Sequence, residues 1–107
     1  MMRAVDLAVE LSRRGAHFVV VGGAARRLAH GRSAPDPRDL DVVVASDDVD
    51  AFAAAARALG CDLTAARLRR CRDVHVDTAW GELDVFVAAH PVDVSMRVGE
   101  QDLRVAS

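Results

Sequence analysis

The chain has 107 residues, room for one domain with a modest core. Its formal net charge of −2 excludes the global basic field that drives bulk DNA or membrane-surface binding, and no apolar run reaches the ~20 residues of a membrane span. All 14 positive side chains are Arg, so any side-chain cation that contacts phosphate must be a guanidinium, which can bind it bidentately.

In chain order, "VDLAVEL" places apolar residues among charges at helical spacing, which predicts an amphipathic helix over residues 3–14, stopped by Gly15. "HFVVV", His17 to Val21, is β-branched and unbroken, the pattern of a strand buried on both faces. Gly22-Gly23 ends it, and "AARRLAHG" supplies a short helix closed by Gly31. Pro35 and Pro37 make "RSAPDPR" a loop, because each pushes its preceding residue out of the helical region. "DLDVVVA" is a second strand. Ser46 is expected to cap a helix over "DDVDAFAAAARALG", whose acidic first turn suits the helix dipole. "CDLTAARLRR", "DVHVDTAW" and "ELDVFVAA" read as period-two stretches, the last two paired as a hairpin about "WGE". The tail from Pro91 to Ser107 alternates weakly and is ambiguous. The order predicts a single α/β (α+β) domain over 1–107, with a mixed β-sheet and helices packed mainly on one face. Few aromatics are present, so Val and Leu are expected to build the core.

Cys61 and Cys71 form neither a CxxC pair nor a Cys/His metal spacing, and read as free thiols of a reducing compartment. The N-terminal stretch, interrupted by Asp6 and Glu10, has no signal-peptide apolar region. The expectation is a cytoplasmic, soluble protein.

The chemistry gathers at the second strand. Asp39 and Asp41 are two apart, so they share a face while Leu40, Val42 and Val44 share the other. Side-by-side carboxylates repel, and burial adds to the cost. Exposure at the strand's start, an Arg such as Arg38, or a divalent cation would offset it; the cation would do so best, since Mg²⁺ takes hard oxygen ligands. In "GELDVFV", Asp84 alternates against Leu83 and Val85, so a strand laid beside "DLDVVV" would bring a third aspartate to the same spot. Three such carboxylates suit two-metal phosphoryl or nucleotidyl transfer. Gly22-Gly23, ending a strand and opening a helix, offers unpaired N–H groups to an anion, although the stretch is neither GxGxxG nor a Walker A loop and a plain turn is the simpler reading. Arg26 and Arg27, one helical turn on, are candidates to reach a triphosphate.

Together, "VVVGGAARRLAHG", "RDLDVVV" and "ELDVFV" resemble the DNA polymerase β-like nucleotidyltransferase superfamily, and most closely its small bacterial members found in toxin–antitoxin and abortive-infection loci. The resemblance covers residues 17–88. It implies a minimal nucleotidyltransferase fold. Gly22 and Gly23 would hold the nucleotide's phosphates, Asp39 and Asp41 would bind both of two Mg²⁺ (or Mn²⁺) ions, and Asp84 would complete one metal site and favour deprotonation of the acceptor hydroxyl. The implied reaction moves a nucleoside monophosphate from an NTP, ATP among them, to a hydroxyl on a protein or RNA acceptor, a cognate toxin included, with release of pyrophosphate. Two departures stand out. The spacer between Gly23 and Asp39 is fifteen residues, with Pro35 and Pro37 where many relatives carry Arg and Thr. Relatives also continue past a segment like "DLRVAS" into further helices, often with a Lys, which are absent here. The alternative expectation is therefore a catalytically degenerate antitoxin or binding module that acts through a protein partner.

Other polar groups read as structural. Asp73, His75 and Asp77 read as a solvated hairpin face rather than a metal site, and the Arg run from Arg67 to Arg72 as solvated charge. His30 reads as a helix-end residue and Trp80 as packing over the hairpin turn.

Overall fold

The computed structural model describes residues 3–88, 93–98 and 100–106. Helix α1 (Arg3–Arg13) turns Ala4, Leu7, Ala8 and Leu11 inward at i, i+3, i+4 and i+7, while Glu10 stays outside and pairs with Arg13 and Arg14. Strand β1 (Val19–Val21) leads straight into helix α2 (Gly22–His30), which buries Ala24 and Ala25. A 3-10 turn, Gly31–Ser33, and the proline loop lead to β2 (Asp39–Ala45). Helix α3 (Val49–Ala58) follows, then α4 (Ala65–Cys71), the hairpin β3 (Asp73–Thr78) and β4 (Gly81–Ala88), and the strands β5 (Asp93–Val98) and β6 (Gln101–Ala106).

The expected mixed sheet is present, with six strands in the order β3-β4-β2-β1-β6-β5. β2 runs parallel to β4 and antiparallel to β1; β1 runs parallel to β6; the β3–β4 and β5–β6 pairs are antiparallel. All four helices pack on one face. There Leu40, Val42 and Val44 of β2 and Leu83, Val85 and Val87 of β4 meet Leu7, Leu11, Phe52 and Leu68 in one cluster. Val and Leu dominate that core as expected, but its largest fully buried side chain is Phe52, set edge-on to the equally large, buried Phe18 with ring centroids 5.8 Å apart. Among the described residues no helix is long and apolar enough to cross a membrane.

Two local expectations are corrected. "CDLTAARLRR" contains a helix, not a strand: Thr64 Oγ1 accepts the Arg67 backbone N–H at 3.2 Å as an N-cap, and the Ala, Arg and Leu that follow favour helix. Leu68 is its one fully buried residue, with Ala65 packed partly buried beside it, so a seven-residue helix leaves almost no periodic signal. Ser46 does not cap α3. Ser46–Asp48 form a 3-10 turn and α3 begins at Val49, with no side-chain cap bond at Asp48. Short polar side chains compatible with local turns, and the tighter winding common at helix entries, account for the delay. The ambiguous tail resolves into β5 and β6, except that residues 91–92, 99 and 107 lie outside the described residues.

Candidate functional site

The strand period that sends Leu40 and Val42 into the core turns Asp39 and Asp41 to the opposite, helix-free face, where both are half-buried. The parallel register of β2 with β4 sets Asp41 directly opposite Asp84. One ligand oxygen from each of Asp39, Asp41 and Asp84 lies within 4.8 Å of the others, so the three predicted aspartates do converge. The electrostatic consequence falls on Asp41. Its carboxyl is raised from 3.8 to about 6, first by burial, then by its hydrogen bond with Asp84 and the negative charges of Asp39 and Asp84, with His75 pulling the other way.

Gly22 closes the site from β1. Val21 is the register partner of Asp41, and the chain turns into α2 at Gly22 with φ +66°, a backbone geometry that L side chains rarely adopt. A Cβ there would sit 2.6 Å from Asp41 Oδ2. Only glycine lets the start of α2 lie against the carboxylate. On the far side, Gly81 at φ +118° lies so close that a Cβ would meet the Arg38 carbonyl oxygen at 2.8 Å, which seats the hairpin turn against the residue before Asp39.

The donor set fits a hard divalent cation: three carboxylates converge beside a glycine that has no side chain to crowd Asp41 Oδ2. The helix start at Gly22 and Gly23 adds backbone N–H groups and the positive end of the α2 dipole.

The two arginines part company. Arg26 is exposed, and its Nη2 would be 3.9 Å from a Cβ on Gly23, so it stays at the helix start. Of these two candidates for a triphosphate contact, Arg27 is engaged in the proline loop. Its guanidinium is largely buried, donating from Nη1 to the Ala34 carbonyl at 2.8 Å and pairing through Nη2 with Asp36 at 3.1 Å. One residue is a rotation of about 100° around a helix, enough to aim Arg27 into the proline loop rather than at the aspartates. That loop returns to the site: Pro37 Cβ would lie 3.6 Å from a Cβ on Gly23.

Sequence reasoning missed His75. Its Nδ1 stands 2.6 Å from Asp84 Oδ1, and its Nε2 is 3.8 Å from both Asp77 Oδ1 and Glu82 Oε1. The hydrogen bond to Asp84 raises its pKa most, and the charges of Asp84, Glu82 and Asp77 add to that. The signal was available in the turn: Thr78 pairs with Gly81 across two residues, and counting back three pairs puts His75 opposite Asp84. His75, Asp77 and Glu82 form a second, exposed group of metal-ligand type.

The remaining polar residues lie elsewhere. Arg69 pairs with Asp50 on the helical layer, His30 is exposed at the end of α2, and Trp80 packs partly buried against the core. A cleft of about 140 Å³, lined by Ser12, His17, Phe18 and Arg104 among others, opens at the other end of β1 from Gly22. Compared with known proteins, the chain finds no counterpart: no family model matches it, and no curated protein or solved structure does so.

Proposed function

We propose that this chain is a divalent-cation-dependent nucleotidyltransferase, moving a nucleoside monophosphate from an NTP to a hydroxyl on a protein or RNA acceptor with release of pyrophosphate. The observation that carries this reading is the convergence of Asp39, Asp41 and Asp84 within 4.8 Å at the mouth of the Gly22 turn. Three carboxylates drawn together at a cost in repulsion, beside a helix start that offers N–H groups, form a site for a cation and a polyphosphate at once.

Asp39 and Asp41 would hold Mg²⁺ or Mn²⁺ jointly, with Asp84 as a third ligand. When bound, the cations supply polarisation of the α-phosphate, a lower hydroxyl pKa and neutralisation of the leaving pyrophosphate. The chain itself does the rest. The backbone N–H groups at Gly22 and Gly23 receive phosphate oxygens, and Arg26 extends that cradle. The acceptor oxygen bonds to the α-phosphorus as the bond to the bridging oxygen of the β-phosphate breaks, and the hydroxyl proton leaves by way of Asp84 to solvent. Cys61 and Cys71 are both free thiols, in keeping with work in the reducing cytoplasm.

The test is calorimetric titration of each of the four NTPs, with Mg²⁺, into wild type and Asp41→Asn. Metal-dependent binding in wild type that is lost in the variant is the expected result. No binding to any NTP would sink the enzyme reading and leave the partner-dependent binding module in its place.

A further inference from the structure

On the reading just proposed, we infer that His75 is a positioning residue of the aspartate cluster: its Nδ1–H holds Asp84 Oδ1 and fixes the orientation in which that carboxylate serves a divalent cation beside Asp41. The sheet order supplies the argument. β4 lies between β3 and β2, so Asp84 has His75 on one flank and Asp41 on the other. The 2.6 Å contact to Asp84 Oδ1 comes from the β3 side. An ionised carboxylate can only accept, so Nδ1 is the nitrogen that carries the hydrogen. Without that donor, nothing on the β3 flank holds Asp84 against turning toward Asp41, its register partner in the same 4.8 Å group. Two acids turned on each other are a poor start for a site that needs both as ligands.

His75 is well placed to resist that turn. Val74 and Val76 on either side of it are buried in the core, which locks the strand beneath the imidazole. Its Nε2 faces Asp77 and Glu82, each at 3.8 Å, so the ring is approached by carboxylates at both nitrogens. Partners that orient a ligating carboxylate commonly matter 10–100-fold for metal affinity. At an exposed histidine the effect belongs at the low end.

The experiment titrates Mn²⁺ alone, calorimetrically, into folded wild type, His75→Ala, His75→Asn, Asp41→Asn and the double variant Asp77→Asn/Glu82→Gln. Circular dichroism confirms the fold of each. Asparagine places an N–H close to where Nδ1–H stands, so His75→Asn should stay within about threefold of wild type while His75→Ala weakens Mn²⁺ about tenfold. Asp77→Asn/Glu82→Gln, which removes only the longer 3.8 Å approaches to Nε2, should lose clearly less than His75→Ala does. Equal affinity in wild type, His75→Ala and His75→Asn would overturn the positioning role and leave the nucleotidyltransferase reading standing. A loss in Asp77→Asn/Glu82→Gln as large as in His75→Ala would also overturn it, by moving the cation to the exposed group. Mn²⁺ binding absent in wild type, or indifferent to Asp41→Asn, would remove the metal reading and this inference with it. Should His75→Ala fail to fold, His75→Gln replaces it, since its donor matches Nε2 rather than Nδ1.

Discussion

The two faces of the β2–β4 pair are made by the same two strands and could hardly differ more. Toward the helices, Leu40, Val42, Val44, Leu83 and Val85 are wholly buried and satisfied by one another. Away from them, Asp39, Asp41 and Asp84 crowd a half-buried patch where at least one carboxyl cannot ionise at its ordinary pH. One face stabilises the register; the other uses the register to hold a repulsive cluster in place. A parallel pair buried on one side resists slipping, because a one-residue shift would put every aspartate in the core. The apolar face is therefore what makes the acidic face possible.

The sharpest way to break this contrast is to remove one residue from each face. On the proposed function, Asp41→Asn is expected to lower nucleotidyl transfer on the order of 1000-fold, the loss of an essential charge-stabilising group, and to leave the fold intact. Leu83→Ala should do the reverse. It costs about 3 kcal/mol of unfolding free energy by urea titration, within the range for a fully buried Leu, and on the proposed function leaves the Mn²⁺ affinity of the folded fraction unchanged. If Asp41→Asn unfolds the chain, the acids are structural and the contrast is lost.

Gly22→Ala joins the two faces at their edge. The strained φ and a Cβ 2.6 Å from Asp41 Oδ2 force either the turn or the carboxylate to move. A loss of about 1–2 kcal/mol of stability is expected from placing a side chain in this backbone region, with Mn²⁺ affinity falling alongside. Stability lost with no change in Mn²⁺ affinity would show that the Gly22 approach is incidental to the site.

Which parts of this were readable from the chain follows from the range of each interaction. The Asp39–Asp41 face, the Gly22 turn and the Asp84 alternation are local patterns, and the sheet brought them together as that pattern implied. Thr64 and Leu68 make a helix so short that its apparent period-two alternation reads as a strand, although its composition favours helix. His75 required the hairpin register to be counted rather than merely recognised. The pairing of β1 with β6 joins Val19 to Arg104 across most of the chain, and no local signal in the weakly alternating tail announces it. Arg26 and Arg27 could not be told apart locally: adjacent helix positions point apart, and the proline loop holds Arg27 by a carbonyl and a carboxylate.

The smallest expected effect tests the repulsion itself. Asp41 titrates near 6 in the fold and near its ordinary 3.8 when unfolded. A group with a raised folded pKa favours the fold fully below about 3.8, where it is protonated in both states; that contribution is lost as pH rises to about 6, because the unfolded chain releases the proton first. Wild-type stability measured without divalent cations should therefore fall across this window relative to Asp41→Asn. The difference should level off at roughly 1–2 kcal/mol, smaller than the full shift would give because Asp41 is partly solvated. His75 contributes in the same direction but in a higher window: its pKa is raised above 6.5, so its part is fully present below about 6.5 and is lost as pH rises from there through the raised value, in both proteins. Adding Mg²⁺ should flatten the Asp41 slope, since a cation among the three carboxylates favours the ionised form and lowers the pKa that burial and repulsion had raised. A wild type and Asp41→Asn whose stabilities run parallel from pH 4 to 7, with and without Mg²⁺, would mean that the three carboxylates do not oppose one another, and that the acidic face stores nothing for a cation to release.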